Sequence, residues 1–188
     1  MSKAVLISIR PEWCQKIMAG RKTIEVRKTR PKMNPPFKCY IYRSVQGGVI
    51  GEFVCDDIFE RIVRVGAICE PPKYCICDWN MDCTPLDTLL ADACLTKDEL
   101  EKYLDGGVGY GWHISGLKIY NTPKELSEFS PVCRYKNDDK SCPSRRVACS
   151  YQKYDCNPDG SINLVECGRT LERPPQSWRY VEEETWND

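Results

Sequence analysis

A chain of 188 residues, 41% hydrophobic and 29% charged, is long enough for one core with a small appendage and has the composition of a soluble globular protein. Its charges cancel, but residues 1–50 carry eleven Lys/Arg against two acids and residues 51–110 five against thirteen, which points to one surface for polyanions and another that repels them. Thirteen cysteines and an apolar run of only Ala4 to Ile7 argue against a signal peptide, a membrane span and a disulfide framework, so a cytoplasmic location with free thiols or a metal site is expected.

Val5 to Ile9 is a short apolar run ended by Pro11 and reads as a buried strand. Pro11 to Met18 reads as a short helix, with proline at its first position and Cys14, Ile17 and Met18 on one face. Gly20 stands where a helix commonly ends at positive φ, with Arg21 and Lys22 at the negative end of the helix dipole. From Thr23 the period becomes two. Ile24 and Val26 point one way; Thr23, Glu25 and Arg27 point the other, either as a solvated ion-paired face or as a charged site. Lys28 to Pro36 is a basic, proline-rich loop, in which Arg30 and Lys32, with Lys38 beyond it, can form a phosphate-facing rim. Cys39 to Tyr42 is a strand, followed by a turn at Gly47-Gly48. Val49 to Ile58 reads as one long strand, with Gly51 marking a bulge or a close backbone approach.

Residues 69–83 look irregular. Thr84, Pro85 and Leu86, Leu89, Leu90 give a short helix, and Thr96 with Glu99 forms a capping box before Leu100, Tyr103 and Leu104, the expected inward face. The glycine-rich stretch Gly106 to Trp112 lacks the Lys-Ser/Thr of a phosphate loop and leads into a strand expected from Trp112 to Tyr120. Thr122 and Glu125 form another capping box, for a short helix carrying Leu126 and ending near Phe129. Residues 131–168 are polar and hold five cysteines, and read as an insertion or mini-module between residues 1–130 and a closing segment, 169–188, with a strand from Gln176 to Val181 and an acidic tail.

Three constellations can carry chemistry. Lys22, Glu25 and Arg27, with Gly20 and Thr23 beside them, can clamp an anion and move a proton. Tyr40, Tyr42, Tyr110, Trp112 and His113 interleave with basic residues, as base-stacking sites do, with Ser44 a further candidate ligand contact, although Trp112 also suits a core and a lone histidine is more often structural. Cys133, Cys142, Cys149, Cys156 and Cys167 are separated by eight, six, six and ten residues; without any Cys-x-x-Cys, four of them around a structural Zn²⁺ compete with scattered buried thiols. Cys69, Cys75, Cys77 and Cys83 form a second such set.

Gly20-x-Lys22-x-x-Glu25-x-Arg27 resembles the G-x-K-x-x-E-x-R signature of the ASCH domain family, a branch of the PUA-like superfamily. Gly48-Val-Ile-Gly-Glu-Phe53 and Tyr110-Gly-Trp-His-Ile114 extend the likeness over residues 3–130, and Pro174-Pro-Gln-Ser-Trp178 is similar to phage- and Firmicute-type members. The resemblance implies an α+β fold, a PUA-like open β-barrel flanked by short helices, with the cysteine-bearing insertion before the last strand. It implies a ligand cleft lined by the signature, with RNA or a nucleotide or nucleoside as partner and no required cofactor. Some members of the family bind nucleic acid and others are nucleases. One branch deacetylates N4-acetylcytidine with a threonine nucleophile where this chain has Glu25, a departure that counts against that activity here. A hydrolase or nuclease in the same cleft, with Lys22 and Glu25 as acid–base pair, is the alternative expectation. A scaffold binding a protein partner through residues 131–168 is a third.

Overall fold

A computed structural model describes residues 3–65, 73–77, 83–84, 86–132, 152–156, 162–167 and 170–184. It is α+β, with two five-stranded sheets, a separate hairpin and three short helices. The first sheet is ordered β12 (Trp178–Glu182), β1 (Lys3–Ile9), β3 (Phe37–Arg43), β4 (Val49–Cys55), β9 (Ser115–Lys124). The second is ordered β2 (Ile24–Arg27), β8 (Gly109–His113), β5 (Ile58–Val65), β6 (Lys73–Cys77), β7 (Cys83–Thr84). Among the described residues no ladder closes either sheet, so the expected open barrel is realised as two sheets rather than one continuous wall.

Three apolar layers follow from strand alternation. Between the sheets, Val5, Ile7, Ile9, Cys39, Ile41 and Phe53 meet Ile58 and Trp112, with Cys14 and Ile17 of helix α1 (Pro11–Met18) at one end. Ile24 and Val26 on the other face of β2 pack against Leu86, Leu89 and Ala93 at α2 (Asp87–Ala93) and Leu100 and Leu104 of α3 (Lys97–Leu104). Ala4, Leu6 and Tyr40 form the third layer with Phe129, Leu171 and Val181.

The capping box of α3 is present: Thr96 Oγ1 accepts from the Glu99 N–H at 3.2 Å and the Thr96 N–H donates to Glu99 Oε2 at 2.8 Å. Several other boundaries differ from the sequence reading. The strand expected from Val49 to Ile58 breaks at Asp56-Asp57, because β4 and β5 belong to different sheets. The strand expected from Trp112 to Tyr120 divides at Ile114 for the same reason. Residues 73–77 and 83–84 are strands, not irregular chain. Helix α2 begins after Leu86, which carries no side-chain cap. Pro123 and Lys124 remain in β9, and the box there is Glu125 with Glu128, opening a 3-10 turn at Leu126–Glu128. Gly51 is the close approach expected of it: a Cβ there would fall on the Lys118 carbonyl oxygen of β9, next to a register shift.

Of the 131–168 segment, the backbone shows β10 (Gln152–Cys156) and β11 (Ile162–Cys167) as an antiparallel hairpin. Cys133, Cys142 and Cys149 lie outside the described residues, as does Cys69. No helix among the described residues is long and apolar enough to cross a membrane.

Candidate functional site

Helix α1 ends where the sequence says it should. Gly20 has φ +67, its N–H donates to the Ile17 carbonyl at 2.8 Å, and the Arg21 N–H reaches back to the Lys16 carbonyl at 2.9 Å. The chain then turns, and the Thr23 N–H donates to the Asp92 carbonyl at 2.9 Å, fixing the start of β2 against α2.

Strand β2 pairs antiparallel with β8, placing Glu25 opposite Trp112 and Arg27 opposite Tyr110. That register turns the charged face of β2 toward the layer between the sheets, not toward water. Lys22 is 3% exposed, and Glu25 and Arg27 7% each. The solvated-face reading of this strand is therefore overturned. Glu25 is held at both oxygens, Oε2 at 3.3 Å from Lys22 Nζ and Oε1 at 2.9 Å from Arg27 Nη2. Lys22 Nζ also donates to the Ile24 and Ala93 carbonyls, each at 2.8 Å, so three partners occupy its three N–H groups. Arg27 Nη2 donates to the Ser8 carbonyl at 2.6 Å and Nη1 to Ser177 Oγ at 3.3 Å, while its buried Nε has no partner among the described residues. Burying three charges is tolerable because each cation meets the one carboxylate and carbonyl or hydroxyl oxygens take most of the remaining donors.

These side chains line a cleft of about 650 Å³. Ser8, Arg10 and Trp13 contribute from the end of β1 and from α1, and Ser44 from the β3–β4 turn. Leu95 and α3 supply the opposite wall through Glu99, Lys102 and Tyr103. Gln176 and Ser177 close one side just before β12. Each aromatic wall carries a cation. Lys16 and Lys22 Nζ stand 4.3 and 5.2 Å from the Trp13 ring centroid, and Lys28 Nζ 5.4 Å from that of Tyr103. Burial raises the Tyr103 hydroxyl pKa, partly offset by the Arg27 guanidinium. Burial also pushes the Cys14 thiol up to about 12, and the Glu25 charge adds to the rise.

Of the residues singled out in the sequence, Lys22, Glu25, Arg27 and Ser44 line the cleft. Gly20 shapes the turn that delivers them, and Thr23 anchors β2 through its backbone. Tyr42 packs on the third apolar layer and is not among the residues that line the cleft. Trp112 is fully buried, its ring 6.0 Å from Phe37 and 5.8 Å from Trp178, and has no exposed face for a base. His113 Nδ1 lies 2.6 Å from Asp56 Oδ1 at the switch between the sheets, where the imidazole depresses the Asp56 pKa. Trp13, Arg10, Ser177 and the α3 residues escaped sequence reading. The period of α3 puts Tyr103 on its inward face, yet the residue is 39% exposed and borders the cleft.

Cys156 pairs in register with Ile162, and Cys167 with Gln152. At about 3.3 Å per residue they stand on the order of 13 Å apart along the hairpin, farther than one tetrahedral zinc site spans. Cys77 and Cys83 are direct cross-strand partners on β6 and β7. Among the described residues no three His, Cys, Asp or Glu side chains converge on a metal position.

Residues 7–77 match the ASCH domain. The match includes the whole signature and stops short of α3 and the Gln176-Ser177 edge of the cleft. Among solved structures, the chain is similar to ASCH from Zymomonas mobilis at 15% identity, over 96% of this chain and 88% of that one, with a TM-score of 0.51. A mutant form of that ASCH protein gives 15% identity, 96% and 89% coverage and a TM-score of 0.53. At such identities the ASCH likeness establishes a shared fold. No curated protein matches the chain in sequence.

Proposed function

We propose that this protein binds single-stranded RNA, with one nucleotide entering the cleft. The observation that carries the reading is the buried Lys22–Glu25–Arg27 cluster at the wall of a concavity that also has two aromatic side chains and a cationic rim. A cleft of this volume falls within the roughly 300–1,000 Å³ of small-ligand sites. Trp13 and Tyr103 supply faces for a base, and Arg10 and Lys102 supply charge for flanking phosphates. The phosphate role expected of Lys22 passes to this rim, because its ammonium is already saturated by Ile24, Ala93 and Glu25.

A hydrolase in the same cleft would use Glu25 as base and Lys22 as acid. The occupied ammonium favours binding over that use. Fluorescence anisotropy of a short single-stranded RNA, measured over a range of salt, tests the reading. Affinity should fall steeply with salt, and Arg10→Gln and Lys102→Gln should each reduce the slope by about one. Release of product from modified nucleosides or RNA, abolished by Glu25→Gln, would replace binding by hydrolysis. No affinity even at low salt would refute RNA binding, and the absence of product as well would refute hydrolysis.

A further inference from the structure

The Glu25 carboxylate faces the cleft with its charge held in place and acceptor capacity to spare. A carboxylate has about four acceptor positions. Among the described residues Glu25 accepts from Lys22 and Arg27, one at each oxygen. Two cations against one anion make the neighbourhood net positive, so a cationic ligand is repelled. What fits is a neutral group presenting adjacent N–H donors to the carboxylate and an acceptor to the cation next to it. Arg27 stands there, its buried Nε lacking a partner among the described residues.

Resting on the RNA-binding reading above, we propose that the cleft selects guanine. Neutral guanine carries N1–H and the N2 amine side by side, followed by O6, and so offers two donors to Glu25 and one acceptor to Arg27. Adenine and cytosine each place a ring-nitrogen acceptor beside their amine, which would face the carboxylate with like polarity. Uracil has a single N–H between two carbonyls. Stacking on Trp13 or Tyr103 is available to every base and holds the ring without discriminating. The selection is thus assigned to Glu25, with Lys22 and Arg27 holding its two oxygens in orientation.

The test uses pentanucleotides of RNA with adenosine at four positions and guanosine, inosine, adenosine, cytidine or uridine at the centre, their affinities measured by anisotropy. The guanosine pentamer should bind about 10-fold or more tighter than the inosine pentamer, which lacks only the N2 amine, and tighter than the other three. Glu25→Gln, if its thermal melt shows a folded protein, should compress the preference to within about 3-fold, since an amide places a donor where a carboxylate oxygen stood. The inosine comparison on the unaltered protein decides the matter even if the variant does not fold. Equal binding of guanosine and inosine, or tighter binding of another base, overturns the guanine assignment and leaves RNA binding standing. No binding of any pentamer overturns both.

Discussion

Arg27 Nη2 lies 2.9 Å from Glu25 Oε1 and at the same time 2.6 Å from the Ser8 carbonyl, so one guanidinium links β2 of the second sheet to β1 of the first. The cleft is built on that link. Its charged wall and its serine-bearing edge come from different sheets, and Ser177 ties the segment before β12 to the same side chain.

Glu25→Ala removes the shared anion and leaves two buried cations without compensation. Unfolding in urea should show a loss of about 3–5 kcal/mol. Glu25→Gln keeps the shape and should lose less. A loss below about 1 kcal/mol for the alanine variant would mean that the pair is solvated, contrary to its burial.

Trp112 and Trp13 separate packing from binding. Trp112→Ala empties the layer between the sheets and should destabilise the protein by about 3–5 kcal/mol. Trp13→Ala should be much milder in stability but weaken RNA binding by about 1–3 kcal/mol, the scale of one base–aromatic stack. Paired melts and titrations check this, and a reversal of the two phenotypes would place the stacking face elsewhere.

That distinction also shows what the sequence could reveal. Gly20, Lys22, Glu25 and Arg27 were legible because each depends on local spacing: a helix stop, a turn and a period-two strand. The capping box at Thr96 and Glu99 was legible for the same reason. The breaks at Asp56-Asp57 and Ile114 were not: two consecutive acids, and Ser115-Gly116, do interrupt the alternation, but such an interruption reads equally as a bulge within one strand, and only tertiary packing decides that the chain changes sheet there. Nor was the cleft wall from Tyr103 and Ser177. Those residues reach Arg27 and its neighbours by tertiary packing across more than 70 residues of chain, and no local pattern encodes such a meeting.

Stability should fall at alkaline pH. Burial raises the Cys14 and Cys55 thiols from 9.0 to about 12, so these thiols stay neutral in the fold while they ionise in the unfolded chain. Their contribution is full below pH 9 and is lost as pH rises toward 12. Urea midpoints across pH 8 to 11 should decline, and Cys14→Ala should flatten part of that decline on a lower baseline. Asp56 behaves in the opposite sense. His113 lowers its folded pKa, so its contribution is present above the unfolded value and lost as pH falls through the folded one. A carbon-13 NMR titration of Asp56 should give a value below that of an isolated aspartate, and His113→Ala should raise it.

The hairpin register limits any zinc shared by the cysteines of residues 131–168. Because Cys156 and Cys167 sit at opposite ends of the β10–β11 ladder, a single ion can take one of them. Metal analysis of protein purified without chelator should show that Cys156→Ser and Cys167→Ser do not both lower zinc content. A drop in both would require a different pairing of these strands.

The central claim is that the cleft between α1 and α3 receives a base, and photocrosslinking tests it most directly. Single-stranded RNA carrying 8-azidoguanosine, which keeps the N1–H, N2 amine and O6 of guanine, irradiated in complex with the protein and mapped by mass spectrometry, should give adducts on peptides containing Trp13 and Tyr103, competed by excess unlabelled RNA. Adducts confined to the β10–β11 hairpin would contradict it.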